Sequence, residues 1–159
     1  MSRFTQPLVV VPRSEVRRAQ EKEVRRVDAR SWVLYTDDFV YEVGSIGSGE
    51  EVEVPQGFIT DFASVPRLLW FFIAPWGRHG PAAVLHDWGY WRQEPADRKY
   101  WDDLFLEAME VLEVSRFHRR VLYLAVRWFA GRAWENNRSV FAVDKFEDAV
   151  AMIAAKKRL

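Results

Sequence analysis

Glu51-Val52-Glu53-Val54-Pro55-Gln56-Gly57-Phe58-Ile59-Thr60 is the stretch on which the fold class turns. From Glu51 to Val54 charged and apolar residues alternate with period two, the pattern of a strand with one face in water. Pro55 and Gly57 interrupt it, and Phe58-Ile59-Thr60 begins a further short strand. Upstream, Trp32-Val33-Leu34-Tyr35 and Phe39-Val40-Tyr41-Glu42-Val43 are rich in β-branched and aromatic residues and read as strands too. Asp37-Asp38 between them reads as a hairpin turn, and Gly44 to Gly49 as a flexible one. Downstream the character changes. Pro81 suits the first turn of a helix running to about Trp91. Ala96 or Asp97 opens a second helix through about Leu112, and Ser115 caps a third to about Asn136. Phe141 to Lys157 reads as a last amphipathic helix with a basic end, which suits the macrodipole. Strands followed by helices predict an α+β protein: an N-terminal antiparallel β meander packed against three to four C-terminal helices.

This divides the chain into an N-terminal arm (1–30), a core domain (31–136, strands over 31–66 and helices over 79–136) and a C-terminal helix (137–159). The arm is dense in charge from Arg13 to Arg30, with glutamates among the arginines, so it reads as a solvated segment rather than a basic contact.

Composition narrows the function classes. A chain of 159 residues buries roughly two-thirds of its unfolded surface, enough for a core without staples. The 23 basic and 23 acidic residues cancel, which argues against a strongly basic nucleic-acid binder. Cysteine is absent, which removes disulfides, thiolate nucleophiles and Cys-ligated zinc. The longest apolar stretch, Leu68 to Trp76, is far short of the roughly 20 residues that span a bilayer. No transmembrane segment and no signal peptide are therefore expected, and the protein is expected to be made and kept in the cytoplasm unless it leaves as part of a larger particle. Phe, Trp and Tyr reach 15%, which implies a dense core or a surface used for assembly. Trp70-Phe71-Phe72 and Trp128-Phe129 are the candidate interface anchors.

The polar signal is concentrated in the middle of the chain. Thr60-Asp61-Phe62-Ala63-Ser64-Val65-Pro66 forms a corner leaving the strands. Gly77-Arg78-His79-Gly80-Pro81 leads into the helix that carries Leu85-His86-Asp87-Trp88-Gly89-Tyr90. His86 and Tyr90 are four apart and share a helix face, and the apolar neighbours make that face buried. A buried His must find a partner, and Asp102 on the next helix or Asp61 at the strand end can supply one. A carboxylate-held imidazole is the unit of general-base catalysis, with His86, Asp102 and Tyr90 as its members. The same arrangement also locks two helices together, and spacing alone leaves both readings open. His86 with Asp87, Asp61 and Asp102 further offers mixed nitrogen and oxygen donors for a divalent metal. His79 and His118 read as solvent-facing.

Two resemblances sit on these residues. Val54-Pro55-x-Gly57-Phe58-x-Thr60-Asp61-Phe62-Ala63-Ser64-Val65-Pro66-Arg67, Trp76-Gly77, Pro81 to Asp87 with Tyr90, and Asp102-x-x-Phe105-x-x-Ala108-Met109 together resemble a phage and prophage family, the domain-of-unknown-function family numbered 1353. The resemblance covers about residues 50 to 130. It implies a bacteriophage or prophage origin and no established activity. Together with the neutral charge, the aromatic content and the terminal arms it leads to the expectation of a virion location, with other phage structural proteins as partners in an oligomeric assembly. The expectation is a tail-associated structural or assembly protein. The second resemblance is local. His86-Asp87-x-x-Tyr90 after a glycine-containing loop resembles the active-site helix of phospholipase A2 enzymes. It implies that His86 activates water, Asp102 orients His86, and Asp87 ligates calcium with loop carbonyls. The alternative expectation is therefore a hydrolase acting on a lipid ester or a cell-wall bond, with calcium or another divalent metal as its candidate cofactor.

Overall fold

A computed structural model describes residues 3–4, 6–12, 32–35, 39–60, 77–93 and 97–139. The strands are β1 (Val10–Pro12), β2 (Trp32–Leu34), β3 (Phe39–Glu42), β4 (Glu51–Val54) and β5 (Ile59–Thr60). The helices are α1 (Gly80–Arg92), α2 (Arg98–Val111), α3 (Arg116–Phe129) and α4 (Gly131–Ser139). Antiparallel strands precede four helices, so the protein is α+β. Asp37-Asp38, Asp61, Trp70-Phe71-Phe72 and the helix expected over 141–157 lie outside the described residues.

The strands form two small sheets, ordered β1-β2-β5 and β3-β4, rather than one meander in chain order. β3 and β4 pair as expected across the Gly44–Gly49 turn, with Phe39 opposite Val54 and Tyr41 opposite Val52. Those four side chains are buried while Glu51 and Glu53 face water, which is the period-two pattern realised. β2 differs from the expected hairpin: its partners are β1 and β5, not β3. The reason is burial. Val33 and Leu34 are both buried, so β2 is a central strand with neighbours on each side. Tyr35 N–H donates to Val9 C=O at 2.8 Å on one flank, and Gly57 N–H donates to Leu34 C=O at 2.8 Å on the other. Gly57 sits at φ 92°, a conformation that only glycine adopts without strain.

Phe4, Leu8 and Val10, placed in the arm by sequence, pack on the core. Val10 begins β1, and the Phe4 ring lies 4.7 Å from Tyr41 and 5.4 Å from Phe39. Charge density marks the later part of that segment, whereas Val10 and Val11 pair with β2.

The helices begin where their capping residues predict. Pro81 lies in the first turn of α1. The Asp97 side chain accepts from Tyr100 N–H at 3.0 Å at the head of α2, and Ser115 Oγ accepts from His118 N–H at 3.3 Å at the head of α3. α1 is buried around most of its circumference, with Ala82, Ala83, Val84, Leu85, His86, Gly89 and Tyr90 inside. It is therefore the central helix, packed by α2 and α4 and by the ends of β4 and β5. Where one helix was expected from Ser115 to Asn136, the chain breaks at Ala130 and restarts at Gly131. The break lets Trp134 turn inward, edge-on to Tyr90 with ring centres 5.2 Å apart.

Candidate functional site

The site is assembled from three helices. α1 carries His86, Asp87 and Tyr90, α2 carries Arg98 and Asp102, and α3 carries Arg127. Asp102 is fully buried and is its centre. His86 Nε2–H donates to Asp102 Oδ1 at 3.0 Å, and Tyr90 O–H donates to the same oxygen at 2.7 Å. Arg127 Nη1 donates to Oδ2 at 2.8 Å, and Arg98 Nη1 stands 3.9 Å from that oxygen. Both carboxylate oxygens are thus satisfied, as a buried charge requires. Burial alone would raise the Asp102 pKa, but the bonds from His86, Tyr90 and Arg127 hold it below the ordinary carboxylate value.

Accepting from Nε2–H fixes the imidazole tautomer, so in the neutral ring the lone pair is on Nδ1. His86 is 3% exposed, and Nδ1 is buried with no hydrogen-bond partner among the described residues. The nearest carboxylate oxygen given to Nδ1 is Asp87 Oδ1 at 4.0 Å, beyond hydrogen-bond reach. Burial pushes the His86 pKa down, but Asp102 and Asp87 outweigh it and leave the value above the ordinary histidine range. The His86 ring is flanked by Tyr90 and Phe105, with centres 4.1 and 5.0 Å away. Burial and then the Asp102 carboxylate raise the Tyr90 pKa.

Asp87 has another contact. Its Oδ2 accepts from Thr60 Oγ1 at 2.5 Å, which ties the end of β5 to α1. A calcium site here would need loop carbonyls beside Asp87. The Gly77–Gly80 loop begins α1, and at 1.5 Å per residue its end lies about 10 Å along the helix axis from Asp87. Its Gly77 and His79 carbonyls accept from Gly80 and Ala83 N–H at 3.0 and 2.9 Å. Among the described residues no three acidic, histidine or cysteine side chains gather to hold a metal ion. Among the described residues Asp87, expected as a metal ligand, is engaged by Thr60. Asp61, its expected companion, lies outside the described residues.

Other expected residues fall as follows. Trp128 and Phe129 are exposed, at 73% and 61%. His118 is exposed as expected, whereas His79 is half-buried, and burial followed by the charge of His118 lowers its pKa. Arg127 and Arg98 were not among the expected site residues. Arg98 stands four before Asp102, a legible helical ion pair. Arg127 comes from a distant helix, and no local spacing points to it.

The chain belongs to the family described as "Protein of unknown function (DUF1353)", whose model matches residues 32–126, from β2 to within α3. No curated protein and no solved structure matches the chain.

Proposed function

We propose that the protein is a hydrolase in which His86 is the general base and Asp102 its orienting carboxylate. One observation carries the reading: a buried imidazole has Nε2 fixed by a carboxylate while Nδ1 is left with no hydrogen-bond partner among the described residues. This is also the arrangement that the local resemblance to phospholipase A2 implies. In the proposed step Nδ1 removes a proton from water as the water oxygen bonds to an ester carbonyl carbon. The imidazolium then returns that proton to the departing alkoxide, releasing acid and alcohol. Asp102 stays ionised throughout and stabilises the imidazolium. The substrate class that fits is an ester, with a lipid ester ahead of a cell-wall bond.

The test is fatty-acid release from mixed phosphatidylglycerol and phosphatidylcholine micelles, beside release from purified peptidoglycan. Wild type is expected to release fatty acid, with His86→Gln at least a hundredfold slower and its unfolding midpoint within a few degrees of wild type. Equal activity in His86→Gln would remove the base from His86. Loss of folding in both His86→Gln and His86→Asn, with no activity in wild type, would make the network a structural lock.

A second reading is favoured by Trp128 and Phe129, large rings that this chain's own core leaves outside. Here the protein is a virion component, tail-associated, carried in an assembly with other phage structural proteins. Recovery of the chain with purified particles supports it, and recovery only from the particle-free lysate rejects it. The two readings are compatible, since a particle can carry an enzyme.

A further inference from the structure

α3 has two apolar faces, and one of them packs on the core of the described residues. Leu122, Ala125 and Val126 are buried against the core. Phe117, Leu124 and Trp128, spaced seven and four residues apart, form a second stripe that points outward, and Val121 between them packs partly on the core. Phe117 is 66% exposed, Leu124 42% and Trp128 73%.

The charge beside the stripe is one-sided. α3 holds four arginines and a histidine, and neither aspartate nor glutamate. Arg127 turns inward to Asp102, and Arg119 pairs with Glu110 at 2.8 Å. Glu113, the other carboxylate near this end, faces Arg78 at 3.4 Å. Arg116 and Arg120 remain exposed with no acidic partner among the described residues, and with Arg119 they line a shallow cavity of about 300 Å³. Ser115 caps the helix and leaves its positive end beside them.

A second copy of the same face is a poor cover, because two such helices would oppose arginine to arginine. A helix with aromatic and aliphatic rings on one side and arginines at its flank suits the boundary layer of a negatively charged bilayer. No helix among the described residues is long and apolar enough to cross a membrane, and an in-plane helix does not need to be. We infer that the outward face of α3 docks on an anionic lipid surface, with Phe117, Leu124 and Trp128 entering the interfacial layer and Arg116 and Arg120 meeting lipid phosphates. The inference stands on this surface alone and is independent of the chemistry at His86.

Flotation of the full chain with vesicles tests it. Vesicles of equal phosphatidylglycerol and phosphatidylcholine are expected to carry the protein at low salt, and phosphatidylcholine vesicles are not. Trp128→Ser and the double variant Arg116→Glu, Arg120→Glu should each cut the bound fraction about tenfold. These positions are exposed, and a glutamate in the first turn suits the helix dipole, so circular dichroism should stay that of wild type. Absence of flotation, equal flotation on neutral vesicles, or flotation unchanged by Trp128→Ser overturns the inference. So does a gel-filtration shift showing that Trp128→Ser dissociates an oligomer that ignores vesicles, which would make the face a protein interface.

Discussion

At the scale of the residue, Asp102 is the side chain on which most depends. Removing it as Asp102→Ala leaves the buried His86 and Tyr90 without their shared acceptor and the half-buried Arg127 without its carboxylate, and about 3–5 kcal/mol of stability should be lost in urea unfolding. Asp102→Asn keeps the shape and removes the charge, so it isolates the electrostatic part. The His86 pKa is raised in the folded chain, so its contribution to stability is complete below the ordinary histidine value of 6.5 and fades as pH rises through the folded value. The Asp102 pKa is lowered, so its contribution is present above 3.8 and fades as pH falls through the folded value. If His86 is the base, the rate should rise with pH on a limb above the ordinary histidine range, and Asp102→Asn should move that limb to lower pH. A pH–rate profile of the two proteins measures the displacement, and an unmoved limb would detach Asp102 from His86. That His86 needs a carboxylate was legible from its place on an apolar helix. That Asp102 supplies one follows from the packing of α1 on α2, which spacing within one helix does not encode.

At the scale of the element, the α1–α2 seam is the tightest contact. Gly89 lies where a Cβ would fall 2.1 Å from two carbons of the Trp101 ring, and that ring is 2% exposed. Gly89→Ala should therefore destabilise by about 1–3 kcal/mol despite the better helix propensity of alanine, and a thermal melt reads the sign directly. Helix starts were legible because Pro81 fixes its own φ in the first turn and Asp97 and Ser115 accept from N–H groups three residues on. The break at Ala130 was not, because it answers to Trp134 packing on Tyr90, 44 residues away in sequence. Strand pairing failed in the same way. The turn at Gly44–Gly49 announces β3–β4, whereas β2 takes partners from both distant flanks.

At the scale of the whole molecule, α2 joins the strand half to the helical half through Glu107. Its Oε1 accepts from the Tyr41 hydroxyl at 2.9 Å and from Gly44 N–H at 2.9 Å, and Arg3 Nη1 lies 2.8 Å from it. Burial and then the carboxylate raise the Tyr41 pKa. Glu107→Ala should lower the stability of both halves together by about 1–3 kcal/mol, seen as one displaced transition in fluorescence and circular dichroism. Two separated transitions would mean that the halves unfold apart. The α+β class was legible because it follows from the order of periodicities along the chain. The junction was not, since nothing near Glu107 in sequence announces Tyr41. This junction also sets a timetable. A ribosome delivers Arg3, Tyr41 and Gly44 more than sixty residues before Glu107 leaves the exit tunnel, and β2 waits for Ile59 in the same way. The β3–β4 pair, whose partners stand nine to fifteen residues apart, has its own strands early, whereas the bonds to Glu107 are completed only when α2 has been made.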